Sequence, residues 1–273
     1  AFIYAIIAFI VNAISVFSVK ELPPEENETE SGQGNEEKIS FLESMKLLLS
    51  NKYFLMIAAF YILTYVQTGI AGIGIYYMTY ILFNENLYGV FSWAINIPLI
   101  IALLVTPVLV EKWKGMYKLN LTGYVIGTIG RALVVVAGYL GSVPLMLLFT
   151  GIAAFGMGPW QGDMNAVIAS CSEYTYLTKH KRVDGTMYSC TSLGIKLGGG
   201  IGIAITGWLL DLSGFDGALG VQSDSCIQML QIMYLWVPVA ITLIITFIMS
   251  KMNVERANEK LLQEQAVKSD MYD

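Results

Sequence analysis

Charged residues are scarce in this chain. Asp, Glu, Lys and Arg make up 14% of its 273 residues, whereas a soluble domain carries about 25%. This scarcity argues against a chain that folds around a core in water. The net charge of −5 is modest, and we expect no nucleic-acid partner.

The side chains that enzymes use most often are also few. His180 is the one histidine, and the three cysteines, Cys171, Cys190 and Cys226, have neither metal nor redox spacing. No G-x-x-x-x-G-K-[ST] loop is present, so nothing indicates ATP hydrolysis. We therefore predict that the chain is not an enzyme and expect no metal and no cofactor.

Long apolar runs take the place of the missing charge. The chain is 55% hydrophobic, with a mean hydropathy of +0.60. Its apolar runs are each near or above the roughly 20 residues that a helix needs to cross a bilayer. The pattern predicts an all-α, polytopic membrane helical bundle with about seven transmembrane helices. The predicted spans are 1–19, 53–82, 90–110, 119–140, 143–168, 187–212 and 228–250.

Two hydrophilic segments flank this apolar region, a linker at 20–52 and a tail at 251–273. The linker is acidic and contains Pro, Gly and Ser, which is typical of a flexible, solvated segment. Ser40 and Glu43 form a capping box, which predicts a short helix beginning at Phe41. Because the chain starts at Ala1 inside an apolar run, without Met or a basic region, we expect it to be a fragment of a longer protein.

The basic residues predict the orientation in the membrane. Of 16 Lys and Arg residues, 14 lie in the linker, the tail and the loops at 111–118 and 169–186. The loops on the opposite side, near 83–89, 141–142 and 213–227, contain none. By the positive-inside rule, the linker and the C-terminus are cytoplasmic and the chain is a multi-pass protein of the cell membrane.

Three charged residues, Arg131, Asp163 and Lys196, fall inside predicted spans. A charge there costs several kcal/mol unless it is paired or hydrated, so each is a candidate functional residue. We expect Asp163 to pair with Lys196 or Arg131 beside a water-filled cavity. The alternative is a static ion pair that only fixes helix packing.

Other polar side chains surround Asp163 in the stretch "GMGPWQGDMNAVIAS" at 156–170. Trp160 is a candidate for stacking on a sugar ring, and Gln161 and Asn165 for bonding its hydroxyls. The alternative for Trp160 is ordinary packing or an interface position. At the inner membrane edge, Glu173 and Tyr174 are candidates for a substrate contact or for an ion pair with "KHKR".

Glycines interrupt the second and sixth predicted spans, in "TGIAGIGIYY" (68–77) and "LGIKLGGGIGIAITG" (193–207). Small residues let helices approach closely, and they also permit local unwinding around a binding site. We expect these two spans to be tilted or broken.

The run from Ala169 to Phe215 resembles the glycoside–pentoside–hexuronide:cation symporters of the major facilitator superfamily. That family shows A-D-x-x-D-Y-x-E-W-K-T-G-x-R-x-E-G, then a lysine in the next helix, then G-x-x-L-x-x-x-G-[YF]. Tyr174, Arg182, Asp184, Gly185 and Lys196 match the first two elements. The closing pattern is matched by Gly207, Leu210, Gly214 and Phe215, and weaker likenesses occur in "LLLSNKYFL" and "PVLVEKWKGMYKL".

Several family positions differ here. Ser170 and Glu173 stand where two aspartates are expected, and Tyr176 and Leu177 replace Glu-Trp. His180 replaces a glycine. These changes bear on which sugar or ion such a protein carries.

The resemblance implies a twelve-helix transporter of which this chain holds the C-terminal part. Residues 1–19 would be the last helix of the N-terminal half, 20–52 the central cytoplasmic linker, 53–250 the C-terminal six-helix bundle and 251–273 the cytoplasmic tail. The partners would be the missing N-terminal half, the bilayer and a sugar or glycoside. The coupling ion would be Na⁺ or H⁺.

We therefore predict secondary active transport by alternating access. Gln161, Asn165 and Trp160 would contact the sugar, and Asp163 with Lys196 would form the polar centre. Gating or ion pairing would fall to Arg131, Glu173, Tyr174, Arg182 and Asp184. A lipid or amphiphile carrier of the same fold and a non-transporting membrane sensor are the alternatives.

Overall fold

A computed structural model describes residue 6 and residues 9–14, 41–181 and 184–269. The chain separates into two compact units, residues 1–43 and 44–273. In the first unit, residues 9–14 are helical and mostly exposed. Most of the predicted span 1–19 and the linker up to residue 40 lie outside the described residues.

Helices make up almost all of the described chain. The short helix predicted after the capping box is present and includes Phe41–Ser50 among the described residues. The α-helices are α1 (Phe41–Ser50), α2 (Lys52–Ile70), α3 (Ile73–Tyr80), α4 (Leu87–Trp113), α5 (Met116–Tyr139), α6 (Val143–Lys179), α7 (Asp184–Met187), α8 (Ser189–Leu193), α9 (Gly199–Leu212), α10 (Asp224–Gln231), α11 (Val237–Lys251) and α12 (Val254–Ser269), with π-helical segments at Gly194–Gly198 and Ile232–Trp236.

Six helical stretches of the described residues are long and apolar enough to cross a membrane. They confirm six of the seven predicted spans and the all-α bundle. In chain order these stretches, called the first to the sixth span from here on, are Lys52–Tyr80, Leu87–Trp113, Met116–Tyr139, Val143–Lys179, Asp184–Leu212 and Asp224–Val267.

The fourth stretch is longer than the sequence predicted. Residues 169–179 belong to α6 instead of a loop. No Gly or Pro occurs between Met164 and Lys179, and polar side chains alone do not end a helix, because its backbone hydrogen bonds are internal. The helix ends where His180 takes a left-handed conformation, with φ of 54°.

The helices pack in two groups of three spans. In one group, α6 packs against both α4 and α5. In the other, α2 packs against α8, the first π segment and α9, and the last span packs against α2 and α3. Contacts between α11 and α5 join the groups. Spans that follow one another in the sequence are therefore often not in contact with one another in the bundle.

Glycine explains why α2 approaches the fifth span so closely. A Cβ added at Gly202 would lie 2.3 Å from the backbone oxygen of Val66, and one added at Gly69 would lie 2.8 Å from that of Gly199. The first span also breaks between α2 and α3, and the fifth contains a π segment. Both readings of the glycines in these spans, close approach and local irregularity, are confirmed.

Candidate functional site

An exposed lysine marks the most unusual surface of the bundle. Lys196 lies in the π segment Gly194–Gly198, within a span of high hydropathy. Gly194 and Gly198 face α2, where an added Cβ would clash with Tyr61 and Ile62. Lys196, two residues from each, lies on the other side of the helix and is exposed. Its charge is therefore presented on the bundle surface instead of being paired inside it.

Further polar side chains occupy the same side of the fifth span. Tyr188, Ser192 and Lys196 follow one another at four-residue spacing, which places them on one face of a helix, and all three are exposed. The Tyr188 hydroxyl donates to the backbone oxygen of Asn165 at 3.3 Å. This bond brings α6 beside the fifth span.

Two predicted sugar contacts on α6 share this surface. Gln161 and Asn165 are both exposed, and their four-residue spacing puts them on one face of α6. We call Gln161, Asn165, Tyr188, Ser192 and Lys196 the exposed polar face. It can offer amide, hydroxyl and ammonium groups to a hydroxyl-rich ligand.

Trp160 was predicted as a sugar contact, but the structure places it in the interior. Its side chain is 2% exposed, and its ring lies 4.3 Å from that of Phe60, centroid to centroid. Because consecutive helical residues point about 100° apart, Trp160 packs inward while Gln161 points outward. This position in the structure agrees with the packing alternative for Trp160.

Asp163 also lies inside the bundle, and the ion pair predicted for it is not formed among the described residues. The side chain is 8% exposed. The amide nitrogen of Asn120 on α5 donates to Oδ1 at 3.0 Å and to Oδ2 at 2.9 Å. Asp163 faces α5, whereas Lys196 is exposed on another span, so they do not form one polar centre.

Arg131 lies elsewhere, beside a cavity of about 130 Å³ between the first, second, third, fourth and sixth spans. Its Nε is buried and has no hydrogen-bond partner among the described residues. Arg131, Asp163 and Lys196, the three charged residues within the predicted spans, therefore lie in three different environments.

The residues predicted for gating lie around the end of α6 and the start of α7. Glu173 is exposed, and the Tyr174 ring packs edge-on against that of Tyr53 at 4.8 Å. Asp184 accepts a hydrogen bond from the Ser172 hydroxyl. Arg182 lies outside the described residues.

Asn51 links α2 to α6 and was not predicted as a functional residue. Its side chain caps α2 by accepting from the backbone of Tyr53 at 2.8 Å, and it donates to the Cys171 oxygen at 2.9 Å and the Thr175 hydroxyl at 2.8 Å. An Asn directly before an apolar run is a helix-capping signal, but its bonds to α6 depend on tertiary packing.

Two further polar residues that join helices, Asn120 and Glu255, were not predicted from the sequence. Asn120, the partner of Asp163, had the signal of an amide within an apolar span. Glu255 on α12 accepts from the backbone nitrogens of Met116 and Tyr117, each at 2.9 Å. A carboxylate at a helix start satisfies unpaired donors there, but no local pattern joins Glu255 to a helix 139 residues earlier.

Six helices of the described residues that are long and apolar enough to cross a membrane indicate a multi-pass membrane protein. Comparison with known proteins agrees. The family model described as "MFS/sugar transport protein" matches residues 1–256. The chain belongs to this family of the major facilitator superfamily.

Two curated relatives are similar over most of the chain. The "Uncharacterized symporter YnaJ" of Bacillus subtilis (strain 168) is 30% identical over 185 residues, which cover 67% of this chain and 39% of the relative. The "Isoprimeverose transporter" of Lactiplantibacillus pentosus is 25% identical over 165 residues, which cover 60% of this chain and 34% of the relative.

These comparisons confirm the resemblance to the symporter family read from residues 169–215. The family and both relatives are transporters, not enzymes. The matches span little more than a third of the relatives' own length.

Proposed function

We propose that this chain is the C-terminal part of a secondary active transporter that carries a sugar or glycoside with Na⁺ or H⁺ by alternating access. The exposed polar face would contact the substrate in a central aqueous path. A missing N-terminal half of the same transporter would supply the opposite wall of that path.

Exposed Lys196 is the observation that carries this proposal. A lysine at the centre of a membrane span costs about 2.5–3.5 kcal/mol on insertion scales if it faces lipid. Covering it with water and a second bundle removes that cost. Polar residues at mid-span that face a cavity between two bundles are the general arrangement of such carriers.

The substrate class rests on two lines of support. The family description names sugar transport, and one relative is named for isoprimeverose, a disaccharide. The exposed polar face also has the chemistry that sugar hydroxyls need, with amide groups at Gln161 and Asn165 that both donate and accept. Trp160 and Asp163 do not reach this face, so we assign them to packing.

The remaining roles follow from position. The linker and C-terminus would be cytoplasmic, as the basic loops indicate. Arg182, Asp184, Glu173 and Tyr174 would contribute to a cytoplasmic gate, where α6 ends and α7 begins. The exchange of family acids at 170 and 173 leaves Na⁺ and H⁺ both open as the coupling ion.

Substitution of Lys196 tests the proposal. In the full-length transporter reconstituted into proteoliposomes, Lys196→Ala should lower uptake of radiolabelled isoprimeverose, or of the best glycoside found by screening, at least tenfold. Lys196→Arg keeps the charge and should retain more activity. The matched control is Lys260→Ala, an exposed lysine on α12, which should transport normally.

Counterflow separates the alternatives. If the Lys196→Ala variant takes up sugar as fast as the unsubstituted protein, Lys196 has no part in the mechanism. If the unsubstituted protein shows no sugar counterflow but moves labelled lysolipid, it is an amphiphile carrier. If it moves neither, the sensor alternative is favoured.

A further inference from the structure

The cavity beside Arg131 combines two breaks in regular structure. Ala71, at the break between α2 and α3, lines it on one side. Tyr234, within the π segment Ile232–Trp236, lines it on the other. Single-turn π segments often occur at functional sites, and broken helices in transporters surround ligands. Their meeting at one cavity indicates a site instead of a packing defect.

The described lining of this cavity is mostly apolar, with five neutral polar residues beside Arg131. The five are Gln67, Tyr88, Ser92, Thr150 and Tyr234, and the Ser92 hydroxyl already donates to the Tyr88 backbone oxygen at 2.9 Å. No Asp or Glu is among the described residues that line it. Among the described residues that line the cavity, the positive guanidinium of Arg131 therefore has only neutral neighbours.

Arg131 has an incomplete set of partners in this setting. Its Nε is buried without a hydrogen-bond acceptor among the described residues. Arg131 is half-buried, and taking part of a charge out of water without a counter-charge costs free energy. The unmade hydrogen bond of its buried Nε adds to that cost. A bound anion would remove both penalties, since guanidinium groups bind anions through several N–H donors.

The volume of the cavity restricts the ligand. About 130 Å³ is less than the roughly 300–1,000 Å³ of pockets for drug-sized molecules, so a disaccharide does not fit. It exceeds the roughly 30 Å³ share of one water molecule several-fold. The cavity also shares no residue with the exposed polar face.

We propose that this cavity is a binding site for a small inorganic anion, held by Arg131 with the hydroxyls of Tyr234 and Tyr88. The site is separate from the sugar-contacting surface and does not depend on the proposed transport function. Its occupancy would stabilise the break in the first span and the π segment in the sixth by joining both to the third span.

Thermal unfolding with chloride as the probe tests this proposal. The purified full-length protein is melted in sodium chloride or in sodium gluconate at equal sodium concentration and ionic strength, without sugar. Gluconate serves as the reference because it is a much larger anion than chloride. A ligand of the folded state raises the melting temperature in a concentration-dependent way, so chloride should raise it by about 2 °C or more, with saturation.

Matched variants locate the effect. Arg131→Gln should abolish the chloride-dependent rise, whereas Arg256→Gln, the same change at an exposed arginine of α12, should keep it in full. If Arg131→Gln does not fold, Arg131→Lys and Tyr234→Phe replace it. Each should raise the half-saturating chloride concentration several-fold.

The proposal is overturned if the unsubstituted protein shows no saturable chloride dependence. It is also overturned if the Arg131 and Tyr234 variants respond to chloride as Arg256→Gln does. Because no sugar is present, neither result depends on whether the protein transports one.

Discussion

At the residue scale, the most informative contact is the one between Asn120 and Asp163. The single amide nitrogen of Asn120 bonds both carboxylate oxygens, and both side chains are buried, at 1% and 8% exposure. Interhelical hydrogen bonds in membranes average about 0.6 kcal/mol, but one to a charged acceptor contributes about 1.5–3 kcal/mol. We therefore expect this pair to hold α5 and α6 together.

A double-mutant cycle tests this contact. Asn120→Ala should destabilise the protein by about 1–3 kcal/mol, because it leaves a buried carboxylate without its donor. The loss should shrink in an Asp163→Ala background, where no carboxylate remains to be satisfied. Melting temperatures of the four proteins give the result.

Asn96→Ala is the control for this cycle, since Asn96 is exposed and bonds within its own helix to the Ser92 oxygen. Additive effects of the Asn120 and Asp163 substitutions would contradict a coupled pair.

At the element scale, the contact between α2 and the fifth span depends on glycines, which have no side chain to keep the two helices apart. Gly194, Gly198 and Gly202 recur every four residues and place backbone against backbone along α2. Small residues at such spacing allow close helix approach in membranes. Gly207 lies further along the same helix, α9, and an added Cβ there would meet nothing within 4 Å.

These two glycines offer a matched comparison. Gly202→Ala would place a Cβ 2.3 Å from a backbone oxygen, so the helices must separate, at a cost of about 1–3 kcal/mol. Gly207→Ala should be neutral or stabilising by about 0.4–1 kcal/mol, because alanine has less freedom in the unfolded chain. The measurement is the melting temperature of each variant beside the unsubstituted protein, and equal effects would show that the close contact is not formed.

At the scale of the whole molecule, the distribution of basic residues predicts which ends of the spans face the cytoplasm. Loop 111–118 contains three of them and 213–227 contains none. The described chain has an even number of spans, so residues 41–51 and α12 lie on the same side as loop 111–118. This arrangement makes the orientation testable from two positions.

Cysteine labelling in intact cells measures the orientation. Ala218→Cys should react with a membrane-impermeant maleimide added outside, and Lys112→Cys should react only after permeabilisation. Both positions are exposed. The native thiols, Cys171, Cys190 and Cys226, are fully buried and serve as the unlabelled background. The reverse labelling pattern would invert the proposed topology.

Much of this protein was determined by its sequence alone. Apolar runs of membrane-crossing length specified the spans, because a bilayer requires each to satisfy its backbone internally. The glycine-rich run at 193–207 indicated a close contact, and the motif around Tyr174 and Lys196 indicated the family.

The partners of the polar residues were decided by tertiary structure. Trp160, Gln161 and Asp163 are near neighbours in sequence, yet only Gln161 reaches the surface. Which side of a helix faces a neighbour depends on how six spans arrange themselves in two groups, and the apolar runs do not encode that order. The physical reason is that lipid and protein interior are similarly apolar, so hydrophobicity places a helix in the membrane without fixing which face it turns inward.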